Sequence, residues 1–152
     1  MNDIAIRRAT TADIPAIVAM LADDPLGAAR EDASTPGAPA YQDAFSAIDA
    51  DPNQFLAVMT RDGTVVGTLQ LTFIPGLSRK GALRGQIEAV RVAAGHRGEG
   101  LGQRLFEWAI AECRARGCRT VQLTTDRSRA DAHRFYDRLG FEASHIGYKL
   151  TL

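Results

Sequence analysis

The sequence Gly95-His96-Arg97-Gly98-Glu99-Gly100-Leu101-Gly102 sets a glycine-rich segment directly ahead of an apolar pattern with helical spacing. A turn between a strand and a helix N-terminus exposes unpaired backbone N–H groups at the positive end of the helix dipole, and glycines let an anion come close to them. The segment is therefore a candidate phosphate-binding turn. It is not a Walker-type loop, because neither Lys nor Ser/Thr follows the glycines, and G-x-G-x-x-G fails because Gln103 stands where the third glycine belongs. Standing alone, these glycines would suit a tight strand-to-helix connection equally well. Cys113 and Cys118 flank Arg116-Gly117 with no second pair and no C-x-x-C spacing, so no metal site and no redox chemistry are expected. They read as small hydrophobes buried at a helix end and the following strand. His133 and His145 read as hydrogen-bonded structural histidines.

The elements that must position this turn belong to a chain of 152 residues, 45% hydrophobic and 24% charged, the profile of one globular domain over residues 1–152. No apolar run approaches the ~20 residues of a membrane span, and Met1-Asn2-Asp3-Ile4 lacks a basic stretch followed by an apolar one. A soluble, cytoplasmic protein with no membrane partner is expected. Formal net charge is zero, with 18 basic and 18 acidic residues, whereas a dedicated nucleic-acid binder would be basic. The balance conceals an asymmetry: residues 1–60 hold three arginines against nine acids, and residues 61–152 hold fifteen basic residues against nine acids. A polyanionic ligand belongs on the second half. Sixteen of the eighteen basic residues are arginine, which suggests a GC-rich bacterial genome.

Ile4 to Arg8 reads as a strand, and Thr10-Thr11-Ala12-Asp13 has the form of a capping box before a helix bearing Ile14, Ile17, Val18 and Leu21. From Asp23 to Asp51 the pattern dissolves among Pro25, Gly27, Pro36, Gly37 and Pro39, and a mobile loop with a short helix at Tyr41–Ile48 is expected. Gln54–Thr60 and the alternating run Val65–Phe73, joined at Asp62-Gly63, predict an antiparallel hairpin with a type I′ turn. A third strand follows at Gln86–Val92. After the glycine-rich turn comes a helix with stripe Leu101, Leu105, Trp108, Ala109 and Cys113, ended by Gly117, then a parallel strand Thr120–Thr124. Ala132, Phe135, Tyr136 and Leu139 mark a last helix ended by Gly140, and Phe141–Ala143 and His145–Leu150 read as short closing strands.

Arg97-Gly98-Glu99-Gly100-Leu101-Gly102 resembles the R/Q-x-x-G-x-G/A signature of the GNAT family of N-acetyltransferases. Asp131-Ala132-His133-Arg134-Phe135-Tyr136 followed by Gly140-Phe141 resembles that family's second motif, an A-x-x-x-Y helix leading into a G-F strand start. The two motifs occur in the family's order and on the expected elements. The resemblance implies an α/β (α+β) fold: a mixed, mostly antiparallel sheet flanked by about four helices, and splayed where Gln86–Val92 and Thr120–Thr124 part around a CoA cleft. It further implies acetyl-CoA as co-substrate, held by the turn amides of Arg97, Gly98, Glu99, Gly100, Leu101 and Gly102 and by backbone groups of Val90, Arg91 and Val92.

Acetyl transfer to an amine needs a neutral nucleophile and a protonated leaving thiol. An amine of pKa ~10.4 is neutral in only about one molecule in ~2,500 at pH 7, a handicap a base can offset. Glu88, on the strand that would present the thioester and two residues from Val90, hence on its face, is the candidate base. Many relatives carry a glutamate where this chain has Gln86, so action through water is expected. Tyr136 is the candidate acid, since a phenol of pKa ~10 is protonated at pH 7. Where relatives often carry an asparagine, this chain has Arg129, which could reach a CoA phosphate.

Ser144-His145 together with Asp131–Tyr136 is also similar to aminoalkylphosphonate acetyltransferases and suggests a small-molecule primary amine as acceptor. The acidic stretch Asp23–Asp51, with Glu31, Asp32 and Asp43 near Tyr41, is expected to wall the acceptor pocket and favour a cation; Arg79, Lys80 and Arg84 point instead to a phosphonate or carboxylate. A homodimer is left open. Two alternatives stand beside the enzyme: a non-catalytic acyl-CoA sensor on the same fold, and a dinucleotide-binding domain with Asp126 as ribose ligand.

Overall fold

A computed structural model describes residues 3–152, which fall into two compact units divided after Gln122. The first unit holds a five-stranded sheet of order β1-β2-β3-β4-β5, formed by β1 (Ile4–Arg8), β2 (Gln54–Arg61), β3 (Thr64–Ile74), β4 (Arg84–Val92) and β5 (Thr120–Gln122). The first three pairings are antiparallel and the last is parallel. This is the expected mixed, mostly antiparallel architecture, and it excludes a doubly wound parallel dinucleotide-binding sheet. The helices are α1 (Ile14–Ala22), α2 (Pro39–Ala50), α3 (Leu101–Ala115) and, in the second unit, α4 (Ala130–Arg138).

Local sequence explains most boundaries. Asp62 and Gly63 at φ 50° and 83° make the two-residue turn between β2 and β3, as their left-handed pairing predicts. At the start of α1 the Asp13 carboxylate accepts from the Thr10 N–H at 2.7 Å, closing the expected capping box, and both Arg7 Nη atoms donate to it at 2.7 and 3.0 Å. These bonds, the Arg7 one foremost, hold the buried Asp13 carboxyl below its ordinary value. A depressed carboxylate contributes stability that is complete above its unfolded pKa of ~3.9 and vanishes as pH falls through the folded value. Asp13→Ala should cost about 1–2 kcal/mol in urea unfolding at pH 7, and the gap from wild type should narrow as pH falls below the ordinary carboxylate value of ~3.9.

Helix α3 packs on one face of the sheet, burying Leu101, Leu105, Phe106, Ala109 and Cys113 against β3 and β4, which bury Leu69, Leu71, Phe73 and Ile87. Trp108, expected in that stripe, lies at its margin with its ring edge-on to Phe55 at 5.1 Å, and Phe106 fills the interior instead. Gly85 permits the close approach: a Cβ there would lie 2.3 Å from the Cys113 Sγ. Burial first, then neighbouring Cys118, pushes the Cys113 thiol up to about 12, which makes it a packing group rather than a nucleophile. On the opposite face α1 and α2 bury Ile14, Ile17, Val18 and Phe45 with Val58.

Three expectations are corrected. α2 begins at Pro39 and runs twelve residues rather than covering Tyr41–Ile48, because a proline in the first helical turn starts a helix instead of breaking it. β5 ends at Gln122 rather than Thr124. Phe141–Ala143 and His145–Leu150 form no strand; the Ser144 N–H closes on the Glu142 carbonyl at 2.9 Å, a tight reversal incompatible with an extended ladder.

Candidate active site

The glycine-rich turn leaves β4 through a short 3-10 turn at Ala94–His96 and enters α3 at Leu101. Gly98 at φ 82° and Gly100 at φ 78° take left-handed conformations that L side chains rarely adopt, and a Cβ on either would meet nothing within 4 Å. Their glycine identity serves chain direction and open approach, not packing. The Arg104 N–H closes the first turn of α3 on the Gly100 carbonyl at 3.2 Å, so the amides of Leu101, Gly102 and Gln103 precede the first intrahelical bond. This cradle fits a phosphate at a helix N-terminus. The side chain of Arg97 turns away from it: Nε donates to the Val92 carbonyl at 3.2 Å and Nη2 to the Asp23 carbonyl at 3.0 Å, tying the turn to the end of α1.

The β4–β5 ladder ends at Gln86↔Gln122, while β4 continues to Val92. Within that continuation β4 carries a bulge. Gln70 pairs with Glu88 and Thr68 with Arg91, so one extra residue is inserted on β4, and Ala89 takes φ 55°. The bulge overturns the expectation that Glu88 and Val90 share a face. The extra residue flips the alternation, placing Glu88 and Arg91 on one side and Val90 on the other. Bulges also bend and twist a strand, which accounts for the early end of the parallel ladder.

Glu88 is exposed at the head of a polar group on the α1/α2 face. The Gln54 Oε1 accepts from Gln70 Nε2 and from the Thr72 hydroxyl, both at 2.9 Å, and the same hydroxyl stands 3.4 Å from the Glu88 Oε1. Gln86, the position of interest two residues earlier, accepts from Gln122 Nε2 at 2.9 Å. Above this group lies a cavity of about 140 Å³ between α1, α2 and the sheet, reaching Thr68, Gln70 and the bulge residue Ala89. α2 forms one wall of this cavity through Tyr41, Ala44, Phe45 and Ile48. Glu31, Asp32 and Asp43 do not line it. Asp32 is held within its own loop by the Ser34 hydroxyl, which keeps its carboxyl below the ordinary value. Arg84 donates to Gln122 Oε1 at 3.2 Å, and Arg79 and Lys80 lie in a left-handed turn at Ser78–Gly81.

Arg129 and Tyr136 belong to the second unit. Arg129 caps α4, its carbonyl accepting from the His133 N–H at 3.2 Å, while His133 Nε2 lies 3.1 Å from the Asp126 carbonyl. Tyr136, half-buried, stacks edge-on against Phe135 at 5.7 Å and Phe141 at 6.1 Å. Three features escaped the sequence: the partners Arg61 and His96 of the turn's Glu99, the Asp23 anchor of Arg97, and the bulge. Only the bulge left a trace there, since the apolar positions Ile87, Val90 and Val92 break period two between the first and second.

Residues 18–141 match the model of the acetyltransferase (GNAT) family. The chain belongs to that family. It is similar to the aminoalkylphosphonate N-acetyltransferase of Salmonella typhimurium strain LT2, at 35% identity over 113 residues, covering 74% of this chain and 73% of that protein. It is also 33% identical over 100 residues to streptothricin acetyltransferase of Streptomyces lavendulae, covering 66% of this chain and 50% of that one. Among solved structures, a transcriptional regulator from Bacillus halodurans C-125 superposes with TM-score 0.95 at 45% identity, covering 99% of this chain and 100% of that one. GNAT membership makes the chain an acyltransferase, and the family generally draws its acyl group from acetyl-CoA. No helix among the described residues is long and apolar enough to cross a membrane.

Proposed function

We propose that the chain is one N-acetyltransferase domain over residues 1–152, a cytoplasmic enzyme that transfers acetyl from acetyl-CoA to the primary amine of a small molecule. The open cradle at Gly98 and Gly100, leading into the amide end of α3, carries this reading. The turn amides of Arg97–Gly102 hold the CoA phosphates, with the backbone of Val90, Arg91 and Val92 alongside and Arg129 reaching a further phosphate. Acetyl-CoA supplies the activated thioester. Glu88, with Thr72 and Gln86 beside it, takes a proton from the acceptor's ammonium through water; the neutral amine then attacks the thioester carbonyl, the C–S bond breaks, and Tyr136 protonates the departing thiolate. With the cavity wall apolar rather than acidic, and an aminoalkylphosphonate enzyme among the relatives, aminoalkylphosphonates are the first acceptors to test.

Acetyl-CoA at 100 times its Kd adds ~2.7 kcal/mol and should raise the melting temperature by roughly 5–10 °C, whereas NAD should not shift it. The second measurement is free-thiol release from acetyl-CoA with aminoalkylphosphonates, amino acids, polyamines and aminoglycosides. The regulator from Bacillus halodurans favours one alternative, an acyl-CoA sensor on the same fold. Stabilisation by CoA with no thiol release from any amine would select it.

A further inference from the structure

The phosphate-binding turn contains an oddity of charge. Glu99 is the only acid between Gly95 and Gln103, and an unscreened carboxylate beside a polyphosphate opposes binding. The fold deals with it from outside the turn. Arg61, the last residue of β2, donates from Nη1 to the Glu99 Oε2 at 2.5 Å and lies 3.1 Å from the His96 Nδ1. An arginine only donates, so the His96 ring accepts at Nδ1 and carries its proton at Nε2. The Glu99 Oε1 stands 3.8 Å from the same Nδ1. Arg61 is mostly buried, and its buried Nε has no hydrogen-bond partner among the described residues, so a cation is kept here although its own hydrogen bonding is incomplete. Simple packing does not call for that.

We infer that Arg61 is a positioning residue for the CoA-binding turn: it cancels the charge of Glu99 and draws its carboxylate toward the β2–β3 hairpin, leaving the backbone amides to the phosphates. The inference rests on the acetyl-CoA reading. Affinity for CoA should then follow the net charge of the Arg61–Glu99 pair, which is zero in the wild type, negative in Arg61→Gln, positive in Glu99→Gln and zero again in the double variant.

Equilibrium binding of CoA by calorimetry at low salt tests this on the full chain. R61Q should bind roughly tenfold more weakly, the effect of one unit charge ~6 Å from a phosphate at an effective dielectric of ~40. E99Q should bind several-fold more tightly, and R61Q/E99Q should return to within about twofold of wild type. The differences should shrink near 1 M salt, where the screening length is ~3 Å. A double variant as weak as R61Q, or an E99Q no tighter than wild type, would overturn the inference; the E99Q arm holds even if R61Q does not fold. Wild-type protein that binds no CoA would overturn the acetyl-CoA reading itself, a result separable from wild-type binding without rescue.

Discussion

Tyr136→Phe should lower kcat by roughly 10²–10⁴ while leaving acetyl-CoA affinity within about twofold of wild type. The substitution removes one hydroxyl and keeps the ring that stacks edge-on against Phe135 and Phe141, so α4 should retain its packing. The Tyr136 carbonyl, which accepts from the Phe141 N–H at 3.1 Å and so fixes the chain after Gly140, is unaffected. A loss confined to kcat is therefore the mark of a missing proton donor, because phenylalanine cannot protonate a departing thiolate and the thiolate must wait for water. Pre-steady-state thiol release beside CoA calorimetry separates this from a binding defect. A variant with full kcat would remove Tyr136 from the chemistry and leave it a packing aromatic.

Glu88→Gln should lower kcat/KM at pH 7 by roughly 10²–10³, with the deficit narrowing tenfold for each pH unit until the acceptor amine is neutral without help. The sign follows from what a base does. At neutral pH almost all of an amine of pKa ~10 is ammonium, and Glu88 is the group proposed to relieve it of a proton; near pH 10 the neutral amine is abundant and the carboxylate is redundant. Glutamine preserves the size and the hydrogen-bonding reach of a side chain that stands 3.4 Å from the Thr72 hydroxyl, so a structural defect would not vary with pH in this way. Activity of E88Q parallel to wild type from pH 6 to 10 would assign the proton transfer to solvent.

Features encoded by short-range patterning were legible in the sequence. Asp62-Gly63 predicts its turn because two successive left-handed residues are a local requirement, and the capping box at Thr10–Asp13 is closed by residues three apart. The glycine-rich turn is visible because its glycines answer to backbone conformation alone. What was hidden depends on partners distant in the chain. The ion pair that neutralises Glu99 comes from Arg61 on the hairpin, and the anchor of Arg97 comes from Asp23 at the end of α1. Charge counted along Asp23–Asp51 likewise does not say which side of α2 meets the cavity, and Tyr41, Ala44, Phe45 and Ile48 are the residues that meet it. Strict alternation carried through the bulge puts Glu88 and Val90 on one face, and the inserted residue parts them.

That bulge has a consequence for what length changes β4 can accept. Because Ala89 is the one residue of β4 out of step, deleting it would restore a regular strand in which Ile87, Val90 and Val92 keep one face and Glu88 and Arg91 the other. The pairings with β3 would survive, and the extra bend and twist that the bulge gives the strand between Gln86 and Val92 would be lost. Surface loops elsewhere in the chain can gain or lose residues at modest cost, but here one residue more or less sets how sharply β4 bends on its way to the glycine-rich turn.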